Sequence, residues 1–338
     1  MKYIFSIIAF LLGIVVIISS FRQQSDGHYT VAYIDVSEDE TSTEEARHIQ
    51  SLALLHTQPF LFVTRHQYLP DHHNTATFFP SADHEYNDGK FQGGGALKMI
   101  DFQTGKVTVI LETETGVIRD PESHFDAKRI IFSMRKDIND SYHIYEINID
   151  GKGLRQLTFM KDVDDLDPFY LADDHIAFSS TREPKYCGCN RHIMANLYQM
   201  EPDGSNIFQI SKNILFDGHG VLMPDGRILY DRWEYVDRNF GDAQSLWTVN
   251  PDGTNHALYW GNNTPSPGGV IDARIVPGTN QAICVFGSCH DRPWGAIALI
   301  DRRIGMDGRN PVIKIWPDSA MVHVWDSRKR PFTVSTIW

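Results

Sequence analysis

The feature that most constrains this chain is a unit of about fifty residues that recurs along it: Asp120, Asp167, Asp217 and Asp272 open successive copies, 47, 50 and 55 residues apart. The clearest copy spans residues 119–158. It opens on Asp120-Pro121, turns at residues 126–128, and runs through apolar residues 130–132 into Ser133-Met134-Arg135. The alternating stretch 142–149 then meets the turn signal Asp150-Gly151, and a short run closes on Leu157-Thr158. Short runs with a period of two, separated by Gly- and Asp-containing turns, read as strands joined by tight connections. Each unit therefore predicts one antiparallel sheet of four strands, a, b, c and d. A period in the forties to fifties with four strands per unit is the signature of a β-propeller. A β-sandwich offers no reason for a fixed repeat.

Five units are visible. The first supplies strand b at 60–65, c at 96–101 and d at 107–111, with a long insertion between b and c. The third has its b, c and d strands at 176–182, 196–200 and 208–211; the fourth has b at 228–232 and c at 246–250; the fifth has b, c and d at 282–287, 296–301 and 312–316. One further strand-like piece, 321–325, has no c or d strand after it. A sheet must close or cover its edges. The expectation is a six-bladed all-β propeller with its last blade incomplete, in a protein that continues beyond Trp338. The alternative is that the segment from Tyr29 supplies strands to the sixth blade.

At the other end, Lys2 precedes an apolar run over residues 3–18, then Ser19-Ser20-Phe21-Arg22. Charge followed by an apolar stretch is the order of an export signal. No Ala-x-Ala cleavage site stands out, and the run is near the short limit for spanning a bilayer. Residues 1–22 thus predict an apolar helix serving as a signal peptide or an uncleaved anchor to the inner membrane through residues 3–21. Residues 23–58 form a linker, 59–338 the propeller, and the folded part is periplasmic or otherwise exported. The formal net charge of −12 argues against a nucleic-acid partner. Membrane contact is expected only through the N-terminal segment.

In a propeller the d-to-a and b-to-c connections emerge on one face, and the a-to-b and c-to-d turns on the other. This sorts the residues. Asp120, Asp167, Asp217 and Asp272 are expected where the innermost strands begin, at the mouth of the channel. Arg65, Arg135, Arg182 and Arg232, near the ends of strands b, fall on the same face. These eight form a candidate ligand-binding face for an envelope protein or a small ligand. Their plain structural use is that each Asp caps its own blade and pairs with the Arg beside it.

The loops on that face also carry Cys187, Cys189, His192, Cys289 and His290, and thiolate and imidazole at short spacing suit zinc. In an exported protein the alternative is disulfides among Cys187, Cys189, Cys284 and Cys289. His66, His72, His73 and His84 in the first-blade insertion form a secondary metal- or substrate-binding set, against the reading of a solvated His-rich loop. Cys284 to His290 is a rare spacing for covalent haem, but Cys284 falls inside a predicted strand. No nucleophile elbow, Walker loop or dinucleotide fingerprint is present. The tryptophans are expected mainly to pack between blades.

The stretches DPESHFDAKRIIFSMR, YHIYEINIDGKGLRQLT, MPDGRILYDRWEYVDR and NPDGTN resemble the six-bladed TolB-like propellers of exported bacterial proteins. CGCNRHIMANLY, WEYVDR and SCHDRPWGAIALID resemble the propeller and middle region of the hydrazine synthase alpha-subunit family. The resemblance covers residues 55–316. It implies either a ligand- or protein-binding scaffold module of the cell envelope, or a subunit of a metal- or c-type-haem-dependent oxidoreductase. Haem in that family is attached through Cys-x-x-Cys-His, which this sequence lacks.

Overall fold

The computed structural model describes residues 58–66, 91–187, 193–234, 244–261, 263–264, 266–287 and 295–320, and the backbone of four short N-terminal strands. Those strands, Ile8–Leu11 with Ile14–Ile17 and Phe21–Gln23 with Tyr29–Val31, pair as two antiparallel ladders. The rest of the expected N-terminal helix, the helical pattern expected near residues 46–55 and the strand expected at 321–325 lie outside the described residues. Among the described residues no helix is long and apolar enough to cross a membrane.

The remaining strands form five antiparallel sheets, the expected blades. Blade 1 has three strands, Phe60–Arg65, Gly95–Asp101 and Lys106–Thr113, which occupy the b, c and d positions. Blade 2 is Val117–Ser123, Arg129–Arg135, His143–Asn148 and Arg155–Gln156. Blade 3 is Asp165–Tyr170, Ile176–Ser180, Asn196–Met200 and Phe208–Gln209. Blade 4 is Phe216–Leu222, Ile228–Trp233, Gln244–Val249 and Ala257–Trp260. Blade 5 is Gly269–Ile275, Gln281–Gly287, Ala296–Asp301 and Val312–Trp316. Each of blades 2–5 is ordered a-b-c-d, and the a strands of successive blades touch one another, as the inner wall of a propeller requires.

The period of two explains how one strand holds two seams. In strand b of blade 2, Ile130 and Phe132 pack with Leu97 and Ile110 of blade 1, while Ile131 turns the other way onto Phe178 and Met200 of blade 3. Phe169 and Ile210 of blade 3 meet Tyr230 and Val249 of blade 4. The seam between blades 4 and 5 carries the aromatic pair Trp260 and Phe286, stacked with centroids 5.3 Å apart at 15°. Fully burying such side chains contributes on the order of 2–3 kcal/mol each before ordering entropy is subtracted.

The c-to-d turns add a second link between blades. Asp150, Asp203 and Asp252 each accept the N–H two residues on, at 3.0, 2.9 and 2.9 Å, so the turn closes on its own side chain. The glycine that follows has positive φ, 81°, 88° and 81° at Gly151, Gly204 and Gly253. Each glycine lies against a carbonyl in or just after strand d of the preceding blade: a Cβ at Gly204 would stand 2.3 Å from the Leu157 oxygen, and one at Gly253 2.7 Å from that of Ile210.

Candidate functional site

Strand a of each of blades 2–5 breaks register once. The shift falls between Arg119 and Glu122, Leu166 and Phe169, Gly218 and Val221, and Ile271 and Arg274. The residue after each break starts a bulge with left-handed backbone: Asp120 at φ 52°, Asp167 at 55°, His219 at 51° and Asp272 at 55°. Asp and His are among the few non-glycine types enriched in that conformation, and a bulge re-aims the side chain it carries. The four residues therefore hold equivalent positions on the channel wall. They lie in mid-strand rather than at the mouth, because the bulge interrupts each strand near its middle.

The electrostatics bring these positions together. Asp167 is 8% exposed, its Oδ2 has no hydrogen-bond partner among the described residues, and its carboxyl is pushed up to about 7 by burial and then by the charge of Asp120. The Asp167 N–H donates to Asp120 Oδ2 at 3.3 Å and to Ser133 Oγ at 3.1 Å, tying blade 3 to blade 2. Asp120 Oδ2 also accepts from Arg119 Nε at 2.7 Å. Across the channel, Arg274 lies 3.4 Å from Asp272. Burial opposes its charge, but Asp272, Asp167, Glu122 and Asp120 together hold its proton more tightly than usual. Glu122 is raised by burial, with Arg274 acting the other way. His219 and Asp231, both 2% exposed, pair Nδ1 to Oδ1 at 2.6 Å. Burial disfavours the imidazolium; Asp231, Asp167 and Asp272 more than offset it, and the His219 pKa is raised.

Asp217, expected to belong with Asp120, Asp167 and Asp272, sits two residues before the bulge position held by His219. Its counterpart is Asp165, and both are fully buried. Asp165 accepts from Ser180 Oγ at 2.6 Å and from Arg182 Nη2 at 2.8 Å. Asp217 accepts from Asn213 Nδ2 at 3.1 Å, faces Arg232 at 3.7 Å, and is raised to about 6 by burial. The expected pairing of each Asp with the Arg beside it thus holds for Asp217. Arg182 pairs with Asp165 instead of Asp167. Arg135, fully buried, donates to the carbonyls of Asp137 and Ile138 at 3.1 and 2.5 Å and lies over the Phe91 ring. Arg65 donates to the His66 carbonyl at 3.1 Å.

Glu122, His219, Asp231 and Arg274 were not among the residues the sequence singled out. A signal for His219 was present: six residues separate Asp120 from Asp126, Asp167 from Asp173 and His219 from Asp225, each pair running from bulge to a-to-b turn. Asp217 stands eight residues from Asp225 and breaks the pattern.

Cys189, His192, Cys289, His290, His72, His73 and His84 lie outside the described residues. Cys187 is buried. Cys284 is a free thiol, 2% exposed, in a strand paired on both sides, and burial pushes its pKa up. A covalent haem edge does not fit that position. Among the described residues no group of three His, Cys, Asp or Glu side chains is arranged to hold a metal ion.

No family model and no curated protein matches the sequence. Among solved structures, the chain is similar to a hydrazine synthase chain of Kuenenia stuttgartiensis, with a TM-score of 0.58 and 20% identity over 73% of this chain. That match spans 38% of the hydrazine synthase chain. TolB of Acinetobacter baumannii gives a TM-score of 0.45 and 14% identity, over 62% of this chain and 46% of that one. The chain has a β-propeller fold, similar to that found within the hydrazine synthase chain.

Proposed function

We propose that this chain is a binding module of an exported, envelope-located protein, and that its ligand enters the channel and engages the bulge residues. The observation that carries the reading is Asp167: a carboxylate oxygen buried without a hydrogen-bond partner among the described residues, beside Asp120, with His219 and Arg274 in its field. Leaving a polar atom buried and unsatisfied costs about 1–3 kcal/mol, a loss that a ligand supplying a donor recovers. Asp120 is the charge that acts most on Asp167, ahead of His219 and Arg274, and Asp272 adds to it, which favours a ligand bearing an ammonium or guanidinium group. Exported location rests on the N-terminal charge-then-apolar order.

The test is equilibrium titration with N-acetyl-lysine methylamide and with its glutamate counterpart, on the full chain and on Asp167→Asn. The reading predicts that the lysine compound binds, the glutamate compound does not, and the variant binds about tenfold more weakly, the loss expected for one charge-assisted hydrogen bond. Equal binding by the variant would overturn it.

A further inference from the structure

The face opposite the candidate ligand-binding face carries a cleft of about 290 Å³ between blades 4 and 5. Its walls come from the a-to-b turns of both blades, strand d of blade 4 and the c-to-d turn of blade 5. Met223, Leu258 and Ile275 give it an apolar side, and Arg227 and Arg302 bring in two guanidiniums. Both guanidiniums act on the buried Tyr259 hydroxyl, so they converge on one region.

The charges of the cleft are unevenly used. Asp225 clamps Arg227 through Nε at 2.9 Å and Nη2 at 2.7 Å, while Arg227 Nη1 donates to Thr248 Oγ1 at 3.2 Å. The carboxylate beside Arg302 in sequence is Asp301, and it is taken by Arg303, at 2.9 Å from Nε and 2.5 Å from Nη2. Arg302 makes no hydrogen bond or ion pair among the described residues, although it lines the cleft and is only half-exposed. The Tyr259 hydroxyl donates to the Asn280 carbonyl at 3.1 Å, and the exposed Asn280 carboxamide has no partner among the described residues. What is left for a ligand is one unpaired guanidinium and one amide donor beside an apolar wall. A planar guanidinium recognises carboxylate oxygens in pairs, and the volume is at the small end of ligand sites.

We propose that this cleft binds a small monocarboxylate with a compact apolar body, its carboxylate on Arg302 and Asn280 and its body against Met223, Leu258 and Ile275. The site is separate from the channel: it lies at the a-to-b and c-to-d turns, at the opposite end of the strands from the b-to-c loops.

Titration of the full chain with benzoate, with benzamide as the neutral control, tests this by ligand-observed NMR and calorimetry. Benzoate is expected to bind the wild type, and benzamide about tenfold more weakly or not at all. Arg302→Gln is expected to weaken benzoate about tenfold, and Arg302→Lys to recover part of the loss. Asp167→Asn is expected to leave benzoate binding unchanged. Because Arg302 makes no hydrogen bond or ion pair among the described residues, both Arg302 variants should unfold close to the wild-type temperature. The proposal is overturned if benzoate fails to bind at millimolar concentration, if benzamide binds equally well, or if Arg302→Gln binds benzoate as the wild type does.

Discussion

Asp167 occupies a left-handed bulge, lacks a hydrogen-bond partner on Oδ2 among the described residues and shares its surroundings with Asp120. Burial, and then the charge of Asp120, push its carboxyl up to about 7 from an ordinary value of 3.8. The folded state therefore keeps a proton that the unfolded chain has lost. Stability from this group is present below about pH 4 and falls as the pH rises toward 7. Asn tolerates the same backbone conformation and cannot ionise. Asp167→Asn should gain stability relative to the wild type as the pH rises from 4.5 to 8, by a few kcal/mol at most, read as a widening Tm difference. A difference that stays constant across that range would show that Asp167 does not titrate there. His219 answers to a different test. Removing its ring in His219→Ala leaves Asp231 buried without its 2.6 Å partner, an expected loss of about 3–5 kcal/mol in urea unfolding. The double variant with Asp231→Asn should recover much of that loss, since no uncompensated charge remains.

At the scale of the blade, the c-to-d turn glycines set the distance between neighbours. Gly204 and Gly226 have nearly the same φ, 88° and 86°, but a Cβ at Gly204 would stand 2.3 Å from the Leu157 carbonyl oxygen, whereas one at Gly226 meets nothing within 4 Å. Gly226→Ala should cost about 1 kcal/mol, the backbone term alone. Gly204→Ala should cost clearly more, because blade 3 must move off blade 2 as well. Equal losses in denaturant unfolding would mean that the turn does not dock. The blades themselves were legible because strand period and turn chemistry are local: alternation at Ile130 to Phe132 and the Asp-Gly pairs state the strands and their joints. The bulges were not. His219 stands in register with three aspartates, and matching by residue type selected Asp217, two positions away. The partners of Arg135 and Arg182 were equally hidden, because loop carbonyls and a carboxylate two positions along strand a leave no mark on the Arg-ending pattern.

Over the whole molecule, the ring brings together groups that the chain keeps 47 to 53 residues apart, Asp120, Asp167, His219 and Asp272. Arg274 of blade 5 feels carboxylates of blades 2 and 3 as well as its own Asp272. The same architecture puts the Arg302 cleft on the opposite face, so the two sites can be altered independently. Groups from separate blades converge in one channel. Carboxyl-detected NMR titration of Asp167, in the wild type and in Asp120→Asn, tests that convergence most directly. The expected result is a midpoint near 7 in the wild type that moves down when the Asp120 charge is removed. A midpoint in the ordinary aspartate range, unmoved by Asp120→Asn, would contradict it.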